Sequence, residues 1–372
     1  MYTTLREMLG SEFPIVAFSH CRDVVAAVSK AGGFGVLGVS GYTPEQLNME
    51  LDWIEKEIGD RPYGVDILVP VKFVGQEEGG LEAAKLDALI PEEHRHFVDA
   101  LLQEHGVPTM PDDMLRSGGT TFEQDRQREL IEAAFGHRIR LVANALGPPP
   151  DWMIERGHEE GVLVAALAGR ADHARRHVEA GVDIVVAQGY EAGGHTGEIA
   201  TMVLVPEVVD AVGDVPVLAA GGIASGRQIA ASLSLGAQGV WTGSVWLTTE
   251  EAETHPIVKQ KFLKASSSDT IRSRSRTGKP ARQLKSAWTA AWEDPENPSP
   301  LPMPLQIRLI QNAWQRIEHG AHKSPGAEAL VSNFVGQIVG SLTEVRSVRS
   351  VIEEMVEGYI DTMERLDTWA SG

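Results

Sequence analysis

A (β/α)8 TIM barrel with an additional helical lid domain is the fold that this sequence predicts. Three observations carry the prediction: eight short apolar runs bounded by turn residues before position 250, helical segments between them, and glycine closing several of those helices. The runs are Pro14 to Ala17, Gly35 to Gly38, Gly64 to Val69, Arg140 to Ala143, Val162 to Ala165, Ile184 to Ala187, Pro216 to Ala220 and Gly239 to Thr242. The sixth, with Val182-Asp183 ahead of it, is the clearest, because a β-branched run between glycines is what a parallel strand buried on both faces looks like. Between the runs, helical patterns span Arg22 to Lys30, Pro44 to Ile58, Trp152 to His158, Ala171 to Ala180, Val205 to Val212 and Gly226 to Leu235. Ala31-Gly32, Ala180-Gly181 and Leu235-Gly236 supply the left-handed residue that ends a helix and turns the chain into the next strand. An alternation of this count favours a closed barrel over an open doubly wound sheet, and it puts functional groups on the loops after the strand C-termini.

Two regions depart from the repeat. Residues 75–137 read as an acidic, polar insertion after the third strand, with helical patterns at Pro91 to His105 and Phe122 to Phe135, placed to cover the barrel mouth. From about 251 onward no strand pattern is visible; helical stretches lie at Leu305 to His319, Glu328 to Val339 and Val345 to Leu366, interrupted by the proline-rich segment 295–304. The expected organisation is therefore a barrel over 1–250 and a mainly helical lid over 251–372, with packing of its C-terminal part on the barrel left open.

Composition narrows the function classes. A formal charge of −19 argues against nucleic-acid and anionic-membrane partners, which require a basic face. No apolar segment follows Met1 and no run is long enough to span a bilayer, so a cytoplasmic protein is expected. The single cysteine, Cys21, provides neither an intrachain disulfide nor a zinc cluster.

The segment from Gln188 to Glu198 (QGYEAGGHTGE) places one histidine in a glycine-rich loop directly after the sixth strand. Gly189, Gly193 and Gly194 let the backbone take positive φ and approach a ligand, while His195 has an unperturbed pKa suited to proton transfer. The alternative is a tight turn whose histidine only caps a helix. Strands seven and eight end in Gly221-Gly222 and Gly243-Ser244, where backbone N–H groups and a helix N-terminus make a phosphate site in barrels of this type; ordinary βα turns are the competing reading. Gly33 to Gly38 matches G-x-G-x-x-G, but a helix precedes it and a strand follows, the reverse of a dinucleotide fingerprint. His173 and His177 lie four apart on a polar helix without a third ligand, so no metal site is expected. The basic stretch 272–282 either holds a phosphate of a pyridine nucleotide or phosphopantetheine, or neutralises an acidic surface.

At the histidine loop the sequence resembles the nitronate monooxygenase family, formerly 2-nitropropane dioxygenases. The likeness extends to Ala26 to Gly35, Ala219 to Ile223, Thr277 to Arg282 and Gly336 to Gly340, and fails over 75–137. It implies an FMN-dependent barrel, with Gln188 near the isoalloxazine ring, the FMN phosphate on Gly221-Gly222 and Gly243-Ser244, and His195 as catalytic base. The family's frequent Met-Gly after strand one and Asn in strand three are here Ala17-Phe18-Ser19 and Asp66, of which Ala17, Phe18 and Asp66 are by the same resemblance flavin contacts.

Residues 194–205 also resemble the FMN-type enoyl-acyl-carrier-protein reductases, which implies a substrate or supporting role for Glu198 and Thr201. Two activities follow from these likenesses. One is oxidation of alkyl nitronates or nitroalkanes with O2; the other is NAD(P)H-dependent reduction of enoyl thioesters or quinones. A flavin-binding protein without turnover would have no chemical need for a titratable His195 beside the glycine pair. A homo-oligomer is compatible with the sequence.

Overall fold

The computed structural model describes residues 1–39, 41–111, 115 and 122–371. Among the described residues eleven strands occur, in chain order β1 (Ile15–Ser19), β2 (Phe34–Val39), β3 (Tyr63–Ile67), β4 (Leu141–Asn144), β5 (Leu163–Ala168), β6 (Ile184–Gln188), β7 (Gly194–His195), β8 (Val217–Ala220), β9 (Gly239–Thr242), β10 (Thr270–Ser273) and β11 (Ala281–Leu284). Eight of them close a parallel barrel in the order β1-β2-β3-β4-β5-β6-β8-β9. All eight predicted runs fall on these strands. The seam is fixed by register, with Val16 opposite Trp241 and Ala17 opposite Thr242, and by the Thr242 hydroxyl, which donates to the Val16 carbonyl at 2.9 Å.

The surrounding helices follow their sequence signals. Helix Pro44–Ile58 starts from a Thr43 capping box with proline at its first position, and it buries Leu47, Leu51, Ile54 and Ile58, one face of a 3.6-residue period. Helix Gly226–Ser234 crosses the long C-terminal helix Val348–Ser371 at two glycines. A Cβ built on Gly226 would lie 2.0 Å from the Tyr359 nitrogen, so only glycine allows this approach. Among the described residues no helix is long and apolar enough to cross a membrane.

Three expectations are corrected. The region after 251 does contain strands: β10 and β11 pair antiparallel, and β11 pairs with β7. Their apolar signal is weak because Arg272 and Arg282 lie within them. The helix expected from Glu328 to Val339 ends at Leu330; an extended stretch follows, with Phe334 bridging Gln283, and then a 3-10 turn over Gln337–Ser341. Helix Gln124–Phe135 is not part of an insertion. Its Leu130, Ile131 and Ala134 bury against Leu47, Leu51 and Val65, in the barrel's own helical layer.

What remains of the insertion joins the C-terminal region. Helices Ala83–Ala88 and Glu92–Glu104 bury Leu86, Val98 and Leu101 in one cluster with Leu309, Ile310 and Ile317 of helix Leu305–Gly320. Arg308 grips Asp87 with two hydrogen bonds, at 2.8 and 2.7 Å, and this pairing holds the Asp87 carboxyl below its usual range.

Candidate functional site

A cavity of about 640 Å³ opens at the C-terminal ends of the barrel strands. Phe18, Asp66, Gln188 and Trp241 line it from below, while Arg276, Met303, Ile307 and Phe334 close it from the region beyond the barrel. The lining is mainly apolar, with few polar groups converging on it, as small-molecule sites are built.

His195 reaches the wall from β7, where Gly194 at φ +73° makes the turn. Pairing of His195 with Ala281 sets the ring beside the Pro280 carbonyl, to which Nδ1–H donates at 3.2 Å. That bond fixes the tautomer and leaves Nε2 as a proton acceptor. Burial, with a smaller contribution from Lys279, pushes the imidazole down to about 4, against the opposing pull of the Pro280 carbonyl. At neutral pH the group is an uncharged base.

The glycine loops are braced from behind. The Glu191 carboxylate accepts from the Thr201 backbone N–H at 2.9 Å. The Thr201 hydroxyl, with one proton to give, lies 2.8 Å from Glu191 and 3.0 Å from the Gly221 carbonyl. This post ties the histidine loop to the loop after β8. Gly193 meets Gly336 so closely that a Cβ on it would lie 2.8 Å from the Gly336 nitrogen, and that same N–H donates to Ser244 Oγ at 2.8 Å. Gly221 and Gly222 have φ of +102° and +71°. Gln228, in the first turn of helix Gly226–Ser234, donates to the Gly222 carbonyl and accepts from the Ala224 N–H at 2.8 Å, holding the loop in shape.

Most predicted site residues meet here: Phe18, Asp66, Gln188, Gly193, Gly194, His195, Gly221, Gly222, Gly243 and Ser244 all line the cavity. Four do not. Ala17 packs outward among Val24 and Val28, because alternate residues of a strand face opposite ways. Gly189 sits behind the wall, where a Cβ would strike Thr201 Oγ1 at 2.0 Å. Thr201 is the brace just described. Glu198 is exposed and lines a separate cleft of about 400 Å³ with Arg272, Arg274 and Trp292.

The basic stretch has a use that neither sequence alternative covers. Arg272 donates to the Thr196 carbonyl at 3.1 Å and Arg282 to the Tyr190 carbonyl at 3.0 Å, and both guanidinium groups lie over the Tyr190 ring. They hold the histidine loop. Sequence reasoning passed over His20, Arg276, Asn333 and Phe334, all on the cavity wall. His20 had a usable signal, since it directly follows β1; its Nδ1–H donates to the Gly38 carbonyl at 2.8 Å.

Asp66 shows what the cavity is shaped to receive. Its carboxyl is buried, Oδ1 has no hydrogen-bond partner, and burial pushes it up to about 7. A heteroaromatic ring offering an N–H would satisfy that oxygen. A Cβ on Gly243 would enter open space, so the backbone there is accessible to a phosphate. These residues fit a flavin nucleotide.

Folding raises the Asp66 pKa from 3.8 to about 7, so its stabilising contribution is complete below about pH 4 and is lost as pH rises through 7. Urea unfolding of cofactor-free protein is expected to show Asp66→Asn gaining up to about 4 kcal/mol relative to wild type across that window, a difference in which the opposite contribution of His195 cancels. Equal pH dependence in the two proteins would show that Asp66 does not titrate there.

A barrel that presents glycine loops and the uncharged, proton-accepting His195 to one cavity, with His20 on the same wall, is built as an oxidoreductase of the flavin class. The chain belongs to the nitronate monooxygenase family, whose model matches residues 5–358. It is 61% identical over 370 residues to the Mycobacterium tuberculosis protein named "Putative monooxygenase Rv1533", covering 98% of both chains. Among solved structures, FabK from Thermotoga maritima matches with a TM-score of 0.71 at 26% identity, over 99% of each chain. Nitroalkane oxidase from Streptomyces ansochromogenes matches with a TM-score of 0.80 over 97% of this chain and 99% of that one; at 24% identity this likeness shows the fold.

Proposed function

We propose that this chain is an FMN-dependent nitronate monooxygenase, oxidising alkyl nitronates, and nitroalkanes by way of them, with O2. The observation that carries the reading is the neutral His195, its Nδ1–H committed to Pro280 and its ring on the wall of an apolar cavity that also presents glycine loops. Asp66 would meet an N–H of the flavin ring, and backbone donors at Gly221, Gly222 and Gly243 would hold the phosphate. Bound FMN supplies an electron acceptor that dioxygen can reoxidise. His195 Nε2 takes the α-proton of a neutral nitroalkane, while a preformed nitronate needs no such step. The barrel over 1–250, with helix Val348–Ser371 packed against it, binds the cofactor, and the rest of residues 251–372 completes the lid. A cytoplasmic location belongs to the same reading, supported by a lone, buried, free Cys21.

Purified protein carrying FMN is expected to consume oxygen with propyl nitronate. For nitroethane, kcat/KM should be level between pH 6 and 8 and fall only toward the depressed His195 value of about 4. Full FMN occupancy without oxygen uptake would refute the reaction and spare the fold.

A second reading, an NAD(P)H-dependent reductase of enoyl thioesters or quinones, is favoured by Arg272 and Arg274, which line the cleft beside Pro280 and form no ion pair with a carboxylate among the described residues. Anaerobic mixing with NADH or NADPH separates the two. Rapid bleaching of the flavin supports the reductase, and an unchanged spectrum supports the oxidase.

A further inference from the structure

Of the basic residues in the stretch 272–282, Arg276 is the one that lines the main cavity. Its guanidinium lies 3.5 Å from the centroid of the Trp314 ring and 5.3 Å from that of Phe334. One nitrogen donates to the Ser332 carbonyl at 3.3 Å; among the described residues Nε and the other terminal nitrogen make no hydrogen bond. The charge acting on it is Glu318, whose carboxylate accepts the Trp314 indole N–H at 2.8 Å and so is engaged at the ring edge. Burial pulls the group down to about 10 without discharging it at neutral pH.

His195 packs against the same Phe334 ring, 6.4 Å between centroids. A base and an unpaired cation thus flank one aromatic side chain on one wall. Next along the chain from Ser332 is Asn333, also on the wall. Its Oδ1 accepts the Phe334 N–H at 2.8 Å, which orients the amide and leaves its NH2 free to donate.

A buried cation in a mainly apolar cavity, with donor capacity unspent, is stabilised by a ligand of opposite charge, and the planar fork of arginine suits two oxygens on one trigonal atom. We propose that Arg276 and Asn333 form an anion-holding site beside His195, so that the cavity takes planar, oxygen-bearing monoanions, and binds a nitronate in preference to the neutral nitroalkane. The substrate preference rests on the nitronate reading above; the anion site itself does not.

Nitrate, which has the same trigonal arrangement of oxygens as a nitronate, is the probe. Titration of the purified protein at constant ionic strength, read by tryptophan fluorescence, reports directly on the stack with Trp314. Wild type is expected to bind nitrate, and nitrate to compete with propyl nitronate. Arg276→Gln should weaken nitrate binding by about tenfold or more, and Asn333→Ala, which keeps the cation and its stacking, by about threefold to tenfold. Arg276→Lys, a charge without the fork, should lie between wild type and Arg276→Gln. Absence of nitrate binding to wild type would overturn the proposal, as would affinities in both Arg276→Gln and Asn333→Ala within about twofold of wild type. Failure to oxidise propyl nitronate while nitrate still binds through Arg276 would end the proposed reaction and leave the anion site standing.

Discussion

His195→Asn is expected to keep FMN bound and to lower kcat/KM for neutral nitroalkanes by about 10²- to 10⁴-fold, the usual worth of a positioned general base. Cofactor contacts on this reading come from backbone at Gly221, Gly222 and Gly243, so removing the imidazole leaves them in place. Asparagine preserves the polarity and much of the size but cannot take a proton at neutral pH. Oxidation of a preformed nitronate should therefore suffer far less. Parallel oxygen-uptake assays on nitroethane and its nitronate check this, with FMN content read from the flavin absorbance. Equal losses on both substrates would show that His195 positions substrate; loss of FMN would show that it holds the loop together.

Gly226→Ala should be a strongly damaging single methyl addition away from the chemistry. The new carbon would lie 2.0 Å from the Tyr359 nitrogen and 2.2 Å from the Gly358 carbonyl carbon. Both are backbone atoms of a long helix, so relief requires the two helices to separate. Overpacking of this kind costs about 3 kcal/mol, a fall in melting temperature of about 4 °C for a chain of 372 residues. Because the same helix carries Gln228, whose amide shapes the Gly222 loop, FMN affinity should fall with it. Thermal unfolding followed by circular dichroism, with cofactor retention after gel filtration, tests both effects. A melting temperature equal to wild type would show that the helices part without penalty.

The barrel was legible because parallel strands covered on both faces become continuous apolar runs, and the glycines between them mark the turns. The cavity wall was legible to the extent that it lies at strand C-termini, as at the Gly221-Gly222 pair, whereas Asp66 and Gln188 came from the family resemblance. Ala17 and Gly189 do not line the cavity, but each is next to a neighbour that does. The closing wall was not legible. Arg276, Asn333 and Phe334 reach His195 from well over seventy residues away, across a stretch whose strands carry arginine at positions where an apolar residue would have announced them.

The three-stranded sheet β10-β11-β7 has a bearing on when the protein becomes competent during synthesis. The last barrel strand ends at Thr242, but the carbonyl that sets the His195 tautomer belongs to Pro280. A nascent chain that has released every barrel strand from the ribosome therefore still has an undirected imidazole. The cavity's general base acquires its orientation only after nearly forty further residues have emerged and folded back. On the proposed reading, maturation of the base is thus timed by the late hairpin, and a chain stalled between these two points would carry every barrel strand with its proton acceptor not yet oriented.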